Sequence, residues 1–124
     1  MKIATKNTAR TYSRDGIKSY LLVSGITTDS RQLTTTLVEM DSGGLQHLHS
    51  HQQEQCYFII EGEGEMTVGR EKAMVGPGDC IFIPSNEPHG LKNTGGGFLK
   101  YFSAASPSWS RKELVDLWPD TNGG

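Results

Sequence analysis

The sequence predicts an all-β fold made of many short strands, a class that comprises β-sandwiches and β-barrels. The 124-residue chain contains 15 glycines and 5 prolines, a composition typical of frequent turns rather than long helices. Short apolar or β-branched runs, each about as long as one strand, alternate with these turn residues. The sequence contains no internal repeat, so solenoids and propellers are excluded.

Apolar or β-branched character predicts strands at residues 19–24, 33–40, 56–60, 65–68, 72–75, 80–83 and 98–103. The segments between them, rich in glycine and proline, predict turns. We therefore expect an N-terminal arm or edge strand at residues 1–18, a barrel at 19–105, and a C-terminal helix with a tail at 106–124.

One helix is predicted near the C-terminus. Ser110 can cap its first turn, and Glu113, three residues later, completes a capping box. Trp109 can pack against Leu114 as a hydrophobic staple, and Pro119 ends the helix. We expect this helix to cover the outside of the barrel or a partner subunit, and the alternative is a lid over a binding site.

Size and charge limit the classes of function. A chain of 124 residues fits one domain. With 12 basic and 14 acidic residues the formal net charge is -2, so no basic surface is expected to bind nucleic acid. The N-terminal segment has charges but no apolar run, which predicts neither a secretion signal nor a membrane anchor and favours the cytoplasm.

Three of the four histidines stand close together, at positions 47, 49 and 51. Packing does not readily explain this concentration. On an extended strand, residues two apart point to the same side, so the imidazoles of His49 and His51 can converge on one point as metal ligands do. His89 follows another predicted strand, and a folded barrel can bring it alongside.

Two motifs surround these histidines. The first reads G-x5-H-x-H-x3-Q-x6-G over residues 43–62, and the second reads G-x5-P-x-N-x2-H-x3-N over residues 78–93. In spacing and order they resemble the two motifs of the cupin superfamily, which carry Glu at the position of Gln55 and Gly at the position of Asn86. Asparagine tolerates the positive φ that such a turn requires. The resemblance covers about residues 19–105 and implies a small microbial cupin with a double-stranded β-helix, the jelly-roll barrel.

The resemblance also implies that His49, His51, Gln55 and His89 bind a divalent metal ion. Imidazole suits several metals, and Fe, Mn, Ni and Zn rank equally. The neutral amide oxygen of Gln55 leaves the full charge on the cation, which lowers metal affinity and favours an anionic ligand oxygen. The alternative is an empty site in which the histidines hydrogen-bond to one another and to water.

Three residues nearby are weaker candidates for a role in the site. Glu54 competes with Gln55 as a ligand, but strand alternation points its side chain to the opposite face. His47 shares the side of His49, where it either supports a ligand or faces solvent. Tyr57 shares the side of Gln55 and is the candidate catalytic hydroxyl or acid, with packing of its ring as the alternative.

The resemblance does not select a reaction, because cupins include dioxygenases, isomerases, decarboxylases, storage proteins and sensors. We expect a metalloenzyme of the dioxygenase or isomerase type that acts on a small, oxygen-rich anion in the barrel, with a nearby carboxylate or Tyr57 moving the proton. The alternative is a non-catalytic module that binds a small molecule or sugar. A storage role is disfavoured, because storage cupins usually have two domains. A homodimer is expected, since pairing would cover exposed sheet edges.

Overall fold

The strands pair into two antiparallel sheets. The computed structural model describes residues 1–117, and its strands are β1 (Arg10–Arg14), β2 (Ile17–Leu21), β3 (Thr34–Met40), β4 (Leu45–His49), β5 (Glu54–Glu61), β6 (Gly64–Val68), β7 (Glu71–Val75), β8 (Cys80–Ile83), β9 (His89–Asn93) and β10 (Leu99–Ser106). A 3-10 helix at Lys6–Thr8 precedes them, and one α-helix, α1 (Arg111–Leu117), follows. The larger sheet has the order β1-β2-β3-β10-β5-β8 and the smaller has the order β4-β9-β6-β7. This arrangement is a jelly roll, so the predicted fold class is confirmed.

The core lies between the two sheets, where alternate residues of each strand meet. On β5 the side chains of Tyr57 and Ile59 are buried, whereas those of Phe58 and Ile60 are 44% and 45% exposed. Strands of both sheets supply the rest of the buried cluster: Val38, Met40, Met66, Val75, Ile83, Leu91, Leu99 and Tyr101. The inward direction expected for Tyr57 is therefore confirmed.

Three strands, β1, β4 and β9, lie outside the runs predicted from the sequence. Each is rich in polar side chains, as in the Arg-Thr-Tyr-Ser-Arg of β1 and the His-Gly-Leu-Lys-Asn of β9. Backbone pairing supplements their few apolar contacts, because β1 pairs with β2 along its length and β9 pairs with both β4 and β6. Two of these polar strands, β4 and β9, carry His49 and His89.

The C-terminal segment packs onto the barrel. The backbone N–H of Ser110 donates to Glu113 Oε1 at 2.9 Å, and the N–H of Glu113 donates to Ser110 Oγ at 3.1 Å, so the capping box is confirmed. Trp109 and Leu114 belong to one buried cluster with Leu21, as the staple predicts. Pro119, the predicted helix end, lies outside the described residues. Within residues 1–117 no helix has the length and apolar character needed to cross a bilayer.

Three motif residues outside the expected ligand set have structural roles. Asn86 has φ +67°, the conformation expected where asparagine replaces glycine. Gly62 has φ +87°, and a Cβ atom added there would lie 2.8 Å from the Cα of Leu99. The side chain of Asn93 donates from Nδ2 to the backbone carbonyls of Met40, Asp41 and Gly97. These residues hold the turns and loops that connect the strands.

Replacing Gly62 by alanine is expected to lower the free energy of unfolding by about 3 kcal/mol. About 1 kcal/mol comes from the left-handed backbone and the rest from the backbone that must move aside. Gly43→Ala is the matched control, because φ is +78° and an added Cβ meets no atom within 4 Å. Urea denaturation measures both losses. Equal losses would contradict the role assigned to close packing at Gly62.

Candidate metal centre

Three imidazoles cluster together, of which that of His89 is buried, that of His51 is half-buried and that of His49 is exposed. His49 ends β4, His51 follows two residues later, and His89 begins β9, where it pairs in register with His49. Their candidate ligand nitrogens all lie within 4.8 Å of one another. The ring centroids of His49 and His89 are 4.2 Å apart, and those of His51 and His89 are 4.8 Å apart. The structure thus brings together three of the residues that the motifs select.

Each of these rings is held by a hydrogen bond at Nδ1. In every case the partner is the backbone carbonyl oxygen two residues away in the chain, and the Nδ1–O distance is 2.9 Å for His49, 3.0 Å for His51 and 2.9 Å for His89. A carbonyl oxygen only accepts, so Nδ1 carries the proton and Nε2 keeps its lone pair. Three Nε2 lone pairs are therefore available at one place, as in metal sites built from histidine.

Loss of solvent lowers the pKa of two of the imidazoles. His89 is completely buried, and its Nε2 has no hydrogen-bond partner among the described residues. Burial, with a smaller contribution from the neighbouring imidazoles, lowers the pKa of His89 from 6.5 to about 4. Loss of solvent around the ring also lowers the pKa of His49. A neutral ring with an unpartnered, buried acceptor is suited to a cation.

Gln55 lies beside the three rings. It projects inward from β5, and its Oε1 is 3.0 Å from the Nε2 of His51. Because the Nδ1 of His51 donates to a carbonyl, Nε2 and Oε1 both present lone pairs to each other. Such a contact is unfavourable without a positive charge nearby, so the four side chains fit a divalent cation in their chemistry. The other amide atom of Gln55, Nε2, donates to Ser103 Oγ at 3.3 Å.

Tyr57 lines the cavity next to these residues. Its hydroxyl donates to Gln46 Oε1 at 3.0 Å, and the Nε2 of Gln46 donates to the hydroxyl of Tyr101 at 3.0 Å. The two tyrosine rings stack with their centroids 4.3 Å apart. Burial raises the pKa of Tyr57 to about 12 and also raises that of Tyr101, so both hydroxyls stay protonated near neutral pH.

Gln46 and Tyr101 are cavity residues that the sequence analysis missed. Tyr101 alternates with Leu99 and Ser103 in the last predicted strand, and this alternation could have marked it as inward-facing. Nothing in the sequence signals that the side chain of Gln46 joins the two tyrosine hydroxyls. The contact depends on how the two sheets face each other.

The cavity encloses about 490 Å³ and opens at a charged rim. Arg14, Asp15 and His47 line this rim with exposed side chains. Asp15 Oδ2 lies 3.6 Å from the Nε2 of His47 and 3.8 Å from the Nε of Arg14. His47 is therefore at the entrance, and only its backbone carbonyl contacts a clustered histidine. Glu54 is exposed and is not among the lining residues.

The C-terminal segment supplies part of the cavity wall. The indole of Trp109 is 5% exposed and meets the ring of His51 edge-on, with centroids 5.1 Å apart. Its backbone N–H donates to Thr34 Oγ1 at 3.3 Å, which ties the segment to the start of β3. The sequence predicted the staple with Leu114 but not this second contact.

With this fold and this histidine cluster, the chain belongs to the cupin family, since residues 36–104 match the cupin domain. It is 36% identical over 87 residues to the uncharacterised protein MJ1618 of Methanocaldococcus jannaschii, a match that covers 70% of this chain and 69% of that one. It is 38% identical over 64 residues to the dimethylsulfoniopropionate lyase DddQ of Ruegeria pomeroyi, which covers 51% of this chain and 32% of the lyase.

Among solved structures, a similar one is an RmlC-like cupin from Shewanella frigidimarina. It superposes with a TM-score of 0.76 and 22% sequence identity, over 93% of this chain and 96% of that one. At this identity the likeness shows the shared fold.

Replacing His89 by alanine is expected to reduce the metal content of the purified protein to background, because one of three converging ligands is lost. Inductively coupled plasma mass spectrometry measures this content. His47→Ala is the control and should keep the metal, since its side chain lies at the rim. Stoichiometric metal in His89→Ala would contradict the ligand set.

Replacing Gln55 by glutamate is expected to tighten the binding of Zn²⁺ about tenfold or more, because a full negative charge replaces a neutral oxygen. Competition against a chelator measures the change. Gln52→Glu makes the same substitution at an exposed position and should have little effect. Weaker retention of Zn²⁺ by Gln55→Glu would count against an inward-facing ligand at this position.

Proposed function

We propose that this protein is a divalent-metal enzyme that acts on a small, oxygen-rich anion bound inside the barrel. One observation carries the proposal: three imidazoles, each with Nδ1 bonded to a carbonyl, keep their Nε2 lone pairs free and place their ligand atoms within 4.8 Å of one another, and two of them, those of His49 and His51, line a cavity of about 490 Å³. A cavity of this size accepts a ligand of metabolite size. The metal would be Fe, Mn, Ni or Zn.

The charge of the site favours an anionic ligand. His49, His51, His89 and Gln55 are all neutral donors, so a bound divalent cation would keep its full charge. Such a cation polarises a bound oxygen and lowers the pKa of bound water. Carboxylates and deprotonated hydroxy acids have the oxygen donors that this centre attracts.

Tyr57 is the proposed proton donor. It is buried in the cavity wall, its ring lies 6.1 Å from that of His89 between centroids, and its raised pKa keeps the hydroxyl protonated. Gln46 orients that hydroxyl by accepting its hydrogen bond. A protonated hydroxyl on a ring that neighbours His89 favours a reaction in which a proton moves, which is the isomerase type rather than the dioxygenase type.

The relative from Ruegeria pomeroyi supports a small carboxylate as substrate, since its name describes a lyase of dimethylsulfoniopropionate. That match covers 32% of the lyase, so it supports the class of ligand rather than the compound.

The second candidate is a module that binds a small molecule or sugar without turnover. Its support is that the hydroxyl proton of Tyr57 is already committed to Gln46. In addition, the only carboxylate among the described lining residues, that of Asp15, lies at the rim.

A cytoplasmic homodimer completes the proposal. On the outer face of the larger sheet, Phe58, Phe82 and Phe102 are 44%, 59% and 36% exposed, and Phe58 pairs in register with Phe102. Burial of such a surface by a second copy would stabilise the pair. Sedimentation of the purified chain as a monomer would contradict it.

Tyr57→Phe separates the two candidate functions. Metal-loaded protein is incubated with a panel of oxalate, dimethylsulfoniopropionate and small hydroxy acids, and NMR follows both binding and product. An enzyme that uses Tyr57 should turn over one member of the panel and lose about 100-fold or more in rate on this substitution, while it retains metal. Tyr20→Phe is the control outside the cavity. Binding of a panel member without product would favour the binding module.

A further inference from the structure

The amide of Gln55 has two different ends, and only one of them can bind a cation. Its oxygen accepts, its nitrogen donates, and a half-turn of the amide exchanges them with almost no change in shape. In this structure Oε1 faces the imidazoles, 3.0 Å from the Nε2 of His51, and the amide nitrogen faces Ser103. The metal site therefore depends on which of its two orientations the side-chain amide of Gln55 adopts.

The hydrogen-bonding needs of His51 alone favour the opposite orientation of the Gln55 amide. Its Nδ1 donates to the carbonyl of Gln53 at 3.0 Å, so its Nε2 is an acceptor. In protein without a cation, the amide nitrogen of Gln55 would donate to that acceptor, and Oε1 would turn away from the imidazoles. Another interaction has to oppose this rotation.

Ser103 is placed to oppose it. It stands on β10, is 2% exposed, and its Oγ accepts from the amide nitrogen of Gln55 at 3.3 Å. Thr36 pairs with it in register across β3, is 5% exposed, and its hydroxyl lies 2.7 Å from that of Ser103. A hydrogen bond from Ser103 to Thr36 leaves the lone pairs of Ser103 Oγ for the amide.

We infer that Ser103, supported by Thr36, is a positioning residue that holds the oxygen of Gln55 toward the three imidazoles before the metal binds. This inference rests on the proposed metal centre and deepens it. Ser103 itself does not touch the metal. Its effect is to raise the fraction of protein in which four ligands already face the cation, and apparent affinity scales with that fraction.

The pairing also explains how a glutamine serves at a position where the motif has glutamate. A carboxylate has two equivalent oxygens, so either orientation presents an acceptor to the cation. An amide needs a neighbour that distinguishes its ends. The buried hydroxyl pair on β3 and β10 is that neighbour when Ser103 donates to Thr36 and accepts from the amide.

Ser103→Ala tests the inference by calorimetric titration of chelator-treated protein with Zn²⁺. We expect the dissociation constant to rise about tenfold, since the amide is free to turn toward His51. The same substitution in a Gln55→Glu background should change the constant by less than about twofold, because the carboxylate has no orientation to lose. The double-mutant cycle thus gives a coupling of about five- to tenfold, which corresponds to about 1.0–1.4 kcal/mol.

Two results would overturn the inference. One is an unchanged constant in Ser103→Ala, and the other is an equal loss in both backgrounds, which would indicate a general disturbance of the barrel. NMR of the metal-free protein shows whether such a result contradicts the positioning role of Ser103 or the proposed metal centre itself. An NOE between the Gln55 amide protons and the Ser103 Hβ protons is expected in the wild type. If the NOE is present but Zn²⁺ does not bind, the proposed function is wrong; if the NOE is absent, the positioning role is wrong.

Discussion

Three hydrogen bonds from imidazole Nδ1 atoms to backbone carbonyls determine what the interior of this barrel can do. They fix the tautomer of each ring and limit its rotation, so that Nε2 is unprotonated and keeps its lone pair for a cation. Each carbonyl lies only two residues from its ring in the chain. The local backbone therefore orients the imidazoles, and the pairing of β4 with β9 brings two of them, those of His49 and His89, together.

The two sheets divide the chemistry of the cavity between them. The smaller sheet carries His49 and His89 on adjacent strands in register. The larger sheet carries Gln55, Tyr57 and Ser103, whose side chains supply hydrogen bonds and a protonated hydroxyl. A ligand between the sheets would meet two imidazoles on one side, and the amide of Gln55 and the hydroxyl of Tyr57 on the other, a geometry that suits polarisation and proton transfer at neighbouring atoms.

The sequence predicted the parts of this arrangement that depend on local spacing. Motif spacing selected His49, His51 and His89, and strand alternation placed Tyr57 inside. The segment 1–18, expected as an arm or edge strand, contains β1 at the edge of the larger sheet. The extended strand expected to carry both His49 and His51 ends at His49. The sequence did not predict β9, because backbone pairing rather than an apolar run marks that strand. Nor did it predict that Ser103 contacts Gln55. That contact depends on the register of β10 with β5, which shifts at an irregularity between residues 100 and 101, and no local pattern encodes such a shift.

The position of Trp109 has a consequence for how such proteins diversify. The part of the chain that matches the cupin domain is 36–104, yet Trp109 on one side and Arg14 on the other both line the cavity from outside that range. Changes in these flanking segments can reshape the chamber while the histidines and the strand registers stay as they are. A lineage can thus acquire a new ligand preference by altering its terminal extensions, and the ancestral barrel need not be redesigned.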